Sequence, residues 1–328
     1  MSAEMDFELA TPKDASEAVA QMQANPGACY IAGGTDLVAN LRRGIGAPPM
    51  LIALDGIAEM QTIAEDGTHL VIGASVTLAR LMAEGLPKRF AAMSALAEVA
   101  GPGLREAATI GGNLCLDTRC IFYNQSKWWR KANGYCLKLD GDTCHVAPKG
   151  KRCHAAFSGD VAPALLVLGA EVQVVGSGGA RWMKLADLYR EDGLDHLTLG
   201  PGELLVAVRI PLAAAALHSG YAKSRLRKAV DFPLAGVAVA LDCKDGRIAD
   251  LKVALTGTNP RPILFDHFPD AIGQEPTEAV LDAISKDIGK EITPMRTTNM
   301  PGMYRRQMAG VLVKRLITRL CAGQGAKV

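Results

Sequence analysis

The chain has almost no surplus of charge: 36 Lys and Arg stand against 34 Asp and Glu, a formal net charge of +2 over 328 residues. No global field is available to recruit nucleic acid or an anionic membrane, so partners must be argued from sites. Long apolar runs are missing too, the longest being broken by Glu171 or Asp242 well short of membrane length. The opening MSAEMDFELATPKDASEAVA is acidic and mixed, without the basic start and apolar stretch of a secretion signal. The expectation is a cytoplasmic protein with no membrane and no nucleic-acid partner. No GxxxxGK(S/T) occurs and no GxGxxG follows a strand, which leaves a P-loop hydrolase and an ordinary Rossmann site without support. Neither an HExxH nor a Ser/His/Asp constellation points to hydrolysis.

What is present is material for two or three packed units, with 49% hydrophobic and 21% charged residues. Short apolar runs alternate with helical patterns through the first hundred residues, as in ASEAVAQMQA, CYIAGG, LVANLRR and HLVIGAS, which predicts an α/β or α+β unit. APALLVLGAEVQVVG reads as apolar strand material, RWMKLADLY as a short helix and GELLVAVRIP as a strand closed by proline. From about Ser219 the pattern becomes a meander with a KDGR hairpin turn, followed by the helical stretches EAVLDAISKDI and GMYRRQMAGVLVKRLITRL. That change predicts a boundary between a unit spanning 1–216 and a separate α+β domain spanning 217–328. There is no internal repeat and no linker longer than a turn.

Two glycine stretches carry candidate binding chemistry. In Cys29-Tyr-Ile-Ala-Gly-Gly-Thr-Asp-Leu37 the glycines follow a predicted strand and precede a helix, where backbone amides can approach a phosphate closely. The alternative is a tight turn at Gly33 and Gly34 with Thr35 or Asp36 capping the helix. Thr109-Ile-Gly-Gly-Asn113 offers similar amides with a hydroxyl and a carboxamide beside them. Two such loops could converge on the two phosphates of one dinucleotide.

Half of the eight cysteines and two of the three tryptophans fall between residues 120 and 153. Cys120, Cys136, Cys144 and Cys153 are not arranged in the paired short-spaced knuckles usual for structural zinc, and a reducing compartment disfavours disulfides among them. Iron–sulfur ligation does not require such pairing, and Gly134, Gly141, Pro148 and Gly150 supply turns for a loop that could wrap a cluster. The segment is too polar for a core of its own, so a metal staple is physically reasonable. Cys115 lies just outside the set and is an alternative to Cys120. Cys29, Cys243 and Cys321, each isolated in a predicted element, read as small buried hydrophobes. His145 and His154 read as supporting or surface residues, and the Trp128–Trp129 pair as packing onto a neighbour or partner.

Taken together, AGGTDL at 32–37, TIGGN at 109–113, GELLVAVRIP, the AKSRLRKAVDFPLAGVAVAL meander and the YRRQMAGVLVKRL helix resemble the FAD-binding medium subunits of the molybdenum hydroxylase (xanthine oxidase) family. The resemblance spans essentially the whole chain. It implies an α+β fold: a two-part PCMH-type FAD-binding domain over 1–216, then a C-terminal α+β domain of the CO dehydrogenase flavoprotein type. It implies that Tyr30, Ile31, Ala32, Gly33, Gly34, Thr35, Asp36 and Leu37, with Thr109, Ile110, Gly111, Gly112 and Asn113, hold FAD. Asp160, in SGD, corresponds to a carboxylate that contacts the cofactor, and Leu205 and Lys223 fall near the flavin. Val99 stands where relatives often carry an aromatic residue.

The insertion at 118–157, with IFYNQS, WWRK and NGYC, is similar to that of the 4-hydroxybenzoyl-CoA reductase branch, whose β subunits carry an extra 4Fe-4S cluster. That similarity implies cluster ligation by the four cysteines, a molybdenum large subunit and a 2Fe-2S small subunit as partners, and pairing into a dimer of heterotrimers. It also implies electron entry from a ferredoxin-type donor for reductive dehydroxylation of 4-hydroxybenzoyl-CoA, the substrate chemistry lying on a partner. The alternatives are the FAD subunit of an aldehyde, purine or CO enzyme with a structural insertion, or a scaffold that has lost FAD.

Overall fold

A computed structural model describes residues 6–323; the first five residues of the acidic opening and the last five of the C-terminal unit lie outside them. The fold is α+β, with three sheets. The first is small and parallel, β1 (Glu8–Ala10), β2 (Cys29–Ile31) and β3 (Met50–Ala53), in the order β1-β3-β2. Parallel neighbours need crossovers, and the helices Ala15–Ala24 and Leu37–Arg42 provide them. Asp14 starts the former by accepting the Glu17 N–H at 2.8 Å.

The second sheet is antiparallel and contains β4 (Ile63–Glu65), β5 (His69–Gly73), β6 (Glu171–Gly176), β7 (Gly179–Lys184) and β8 (Leu204–Pro211), ordered β4-β5-β8-β6-β7. The third contains β9 (His218–Ser224), β10 (Ala235–Lys244), β11 (Arg247–Thr256) and β12 (Ile263–Phe265) in the order β12-β11-β10-β9. Asp245 and Gly246, both at positive φ, make the tight turn of the KDGR hairpin, with Lys244 opposite Arg247.

Strand β10 explains how the halves of the chain join. Val237, Val239 and Leu241 face one core with Leu281, Ile284 and Ile288 of helix Glu278–Glu291 and Val313, Leu316 and Ile317 of helix Gly302–Cys321. Ala238 and Ala240 face the other way, into the N-terminal core, together with Leu165 and Val167 of helix Val161–Val167. Alanine on that face gives the helix room to sit close to the sheet.

Three local expectations change. VAPALLV is a helix, not a strand: it is buried on every side, so no polar face exists to reveal its period. RWMK is the end of β7, and only Leu185–Leu188 coils. Cys243, on β10, and Cys321, the last residue of helix Gly302–Cys321, form a disulfide with Cα atoms 5.7 Å apart, which corrects their reading as isolated buried thiols.

Phe157, fully buried, ties the units together. Its N–H donates to the Asn259 carbonyl at 2.9 Å, its carbonyl accepts the Gly257 N–H at 2.8 Å, and its ring meets Tyr189 edge-on at 5.2 Å. Phe157→Ala should cost about 3–5 kcal/mol and lower the midpoint of thermal unfolding followed by circular dichroism; an unchanged midpoint would contradict this role.

Candidate functional site

The glycine loops do converge. A Cβ at Gly33 would overlap the carbonyl of Ala107, so the first loop lies directly against the residues that lead into the second. Gly34 has φ +64°, which favours glycine. Gly33 and Thr35 are exposed, and among the described residues the backbone N–H groups of Gly33, Gly34 and Thr35 have no acceptor in the chain. Three consecutive open donors form a concavity suited to an anion. Asp36 does not cap helix Leu37–Arg42; its carboxylate pairs with Arg119, whose guanidinium lies 4.6 Å over the Phe232 ring. Tyr30 anchors the loop's entry by donating its hydroxyl to the Gly202 carbonyl at 2.9 Å.

The second loop is built differently from the first. Thr109 caps the short helix Ile110–Leu114 and accepts the Gly112 N–H at 3.1 Å, while Ile110 and Gly111 donate to Val76 and Ala74 carbonyls at 3.0 and 2.9 Å. Its amides are therefore largely used within the chain. A Cβ at Gly111 would sit 2.7 Å from that of Ala74, so this glycine serves close packing. Ala74 also donates its N–H to the Val206 carbonyl at 2.9 Å, linking the loop to Leu205 on β8.

Asp160 lies beside this loop although the insertion separates them in sequence. Asn113 accepts the Val161 N–H at 3.1 Å, and a Cβ at Gly159 would sit 2.6 Å from the Asn113 carbonyl. The buried Asp160 carboxyl accepts from the Tyr221 hydroxyl at 2.6 Å and Lys223 Nζ at 2.8 Å. Lys223 also donates to the Glu98 carbonyl at 3.0 Å, beside an Arg225–Glu98 ion pair. Burial raises the Asp160 pKa from 3.8 to about 6, against the lowering pull of Lys223.

The insertion closes on itself at its base. Arg119 and Ala156 exchange N–H···O bonds of 2.7 and 2.8 Å, and the intervening segment projects from that bridge. Its own apolar cluster is small: Tyr123 and Cys136 with Ile45 from outside, flanked by Cys120 and Leu139. Buried Arg130 instead fastens it to the chain, donating to the Gly44 carbonyl at 2.7 Å. Lys138 donates to Asp117 at 2.6 Å and the Gly193 carbonyl at 2.8 Å. The tryptophans divide, Trp129 lying 6.2 Å from the Phe122 ring and Trp128 standing 77% exposed.

Cys120 is within electrostatic range of Cys136, Cys144 and Cys153, and Cys144 is in turn within range of Cys153. Burial pushes Cys120 up to about 11 and Cys153 up to about 12. Among the described residues no group of three or more His, Cys, Asp or Glu side chains is gathered as a single metal ion requires. Burial pushes the Cys115 thiol up to about 12.

The family of the FAD binding domain in molybdopterin dehydrogenase matches residues 5–213, and that of the CO dehydrogenase flavoprotein C-terminal domain matches residues 219–320. The chain is an FAD-binding medium subunit of the molybdenum hydroxylase family. It is 34% identical over 280 residues to the aldehyde oxidoreductase FAD-binding subunit PaoB of Escherichia coli (strain K12), covering 82% of this chain and 86% of that one. It is 28% identical over 324 residues to the carbon monoxide dehydrogenase medium chain of Afipia carboxidovorans, covering 95% and 96%. The solved CO dehydrogenase from Oligotropha carboxidovorans is similar in fold, with a TM-score of 0.74 at 26% identity over 97% of this chain and 98% of that chain.

The open amides of the first loop fit an FAD phosphate. The flavin subunit's other predicted residues gather around the second loop. Sequence reasoning missed Tyr221, Glu98 and the Arg119–Phe232 pair; only Tyr221 had a signal, since it lies two residues before Lys223 on one strand and so shares its face. No helix among the described residues is long and apolar enough to cross a membrane.

Gly33→Ala should separate the loops and lower flavin content several-fold, read from flavin absorbance per purified chain; full flavin content would oppose the arrangement. Asp160 supplies a pH test. Below 3.8 its contribution to folding is fully present, and it is lost as pH rises through about 6, because the folded chain holds a proton that the unfolded chain releases. The difference in thermal midpoint between wild type and Asp160→Asn should therefore vary across that window and level off above it. A constant difference would show that the carboxyl is not raised.

Proposed function

We propose that this FAD-binding subunit also holds a 4Fe-4S cluster on Cys120, Cys136, Cys144 and Cys153. In this reading it relays electrons from a ferredoxin-type donor towards a 2Fe-2S small subunit and a molybdenum-cofactor large subunit, within a dimer of heterotrimers that converts 4-hydroxybenzoyl-CoA to benzoyl-CoA. What supports the cluster assignment is that the four thiols, spread over a polar insertion, lie near enough to act on one another: Cys136 and Cys144 raise the Cys120 pKa, and Cys144 and Cys120 raise that of Cys153, each beside the larger effect of burial.

When bound, the cluster supplies one-electron transfer and the flavin one- or two-electron transfer. The chain's own residues hold and tune these groups. The N–H group of Tyr123 donates to the Cys120 carbonyl at 3.0 Å and that of Ala155 to the Cys153 sulfur at 3.4 Å; a bond to sulfur favours the thiolate a cluster needs. Gly193 donates to the Cys153 carbonyl at 2.9 Å, and Asp192 accepts the Cys153 N–H at 3.2 Å, fixing the last ligand. The open amides of Gly33, Gly34 and Thr35 would hold an FAD phosphate, and Asp160 with Lys223 would orient the flavin.

The reductive substrate rests on the resemblance of the insertion to the hydroxybenzoyl-CoA branch. A second reading, the FAD subunit of an aldehyde, purine or CO enzyme with a structural insertion, is favoured by the likeness to an aldehyde oxidoreductase subunit and to CO dehydrogenase medium chains.

Anaerobically purified protein should contain about one FAD and about four iron and four sulfide per chain. Serine at Cys120, Cys136, Cys144 or Cys153 should each abolish most of the iron, while Cys115→Ser keeps it. Iron-free protein with stoichiometric zinc would sink the cluster, and turnover of an aldehyde rather than the thioester by the complex would favour the second reading.

A further inference from the structure

Arg305, on helix Gly302–Cys321, is wholly buried yet has no carboxylate partner among the described residues. Its Nε donates to the Leu234 carbonyl at 3.0 Å, and its Nη1 donates to the Met295 carbonyl and the Thr297 hydroxyl, both at 2.9 Å. Its Nη2 has no hydrogen-bond partner among the described residues. Burial lowers the Arg305 pKa to about 10, and Cys120, on the insertion, pulls the other way. Ile121, next to Cys120, donates its N–H to the Thr297 carbonyl at 3.0 Å, so the segment that orients Arg305 also positions the first proposed ligand.

A buried cation left without an anion is costly, and an open donor on it adds to that cost. A neutral thiol at Cys120 would not offset the charge; a thiolate ligand on an anionic cluster would. Lys138 is different: it stands near Cys153 but is already paired with Asp117 at 2.6 Å, so it contributes little net charge. Among the described residues Arg305 is thus a buried cation beside the Cys120 segment with no carboxylate partner, and it comes from the C-terminal unit.

We propose that Arg305 is a positioning residue for the four-cysteine cluster, its guanidinium donating to the Cys120 corner and favouring the reduced state. The inference rests on the cluster reading above. Reduction adds one electron, taken from the external reductant, and so one negative charge that a fixed buried cation stabilises. Without that charge, the cluster should be harder to reduce.

The test uses the full chain, purified anaerobically as wild type, Arg305→Gln and Arg305→Lys, with iron, sulfide and flavin measured before dithionite titration followed by electron paramagnetic resonance. Arg305→Gln that retains iron and flavin should show a midpoint more negative by at least about 59 mV, a tenfold change in the one-electron equilibrium. Arg305→Lys should stay nearer wild type. An unchanged midpoint in an iron-replete Arg305→Gln overturns the inference while leaving the cluster intact. If Arg305→Gln does not fold, wild type labelled with 15N-arginine should show a nitrogen coupling to the reduced cluster that disappears in Arg305→Lys; persistence or absence of that coupling in both overturns it. Wild type that holds FAD but no iron removes the cluster reading itself, and this inference with it.

Discussion

The pair of hydrogen bonds between Arg119 and Ala156 is the constraint on which the arrangement of the site depends. Residues 113 and 160 have to meet, because Asn113 accepts the Val161 N–H and Gly159 packs on the Asn113 carbonyl. The whole insertion is interposed between them. Closing its base lets the surrounding domain fold as though the insertion were a surface loop, since the separation of the bridge ends is fixed locally. The same Arg119 pairs with Asp36 at the end of the first glycine loop, so the hinge of the insertion also touches that loop.

Polar anchoring replaces a hydrophobic core in this segment. Arg130 is held by the Gly44 carbonyl, Lys138 by Asp117 and Gly193, and Ile121 donates its N–H to the Thr297 carbonyl of the other unit. Long side chains can bury their stems while their charged heads satisfy backbone carbonyls, which lets a Lys-, Asp- and Gly-rich loop dock firmly with only a small apolar cluster beneath it. Asp160 and Lys223 follow the same logic beside the second glycine loop, where a buried pair joins the helix Val161–Val167 to β9. Breaking one partner of such a pair is expensive because it strands the other.

Much of this was legible in the chain. Two glycine stretches pointed to backbone-rich loops that could converge, and the KDGR turn was read correctly from its residues. The errors have physical causes. Val161–Val167 is surrounded by protein, so its helical period left no polar stripe. The second loop looked like a source of free amides, but its donors are absorbed by Ala74, Val76 and Thr109, residues whose proximity local pattern cannot disclose. Cys243 and Cys321 looked isolated because 78 residues separate them; the packing of the last helix on β10 brings them together.

The sequence by itself determined the family, through motifs whose glycines are required by close backbone approach, and it singled out four cysteines in a segment too polar to fold around apolar contacts. Which cysteines gather, and what faces them, only the tertiary structure decided. Cys243 and Cys321 are 78 residues apart yet form a disulfide, while Ile121, beside Cys120, donates to the Thr297 carbonyl of a different unit. Side-chain chemistry is written in the chain, but the charge environment that sets its use is a sum over neighbours supplied by the fold.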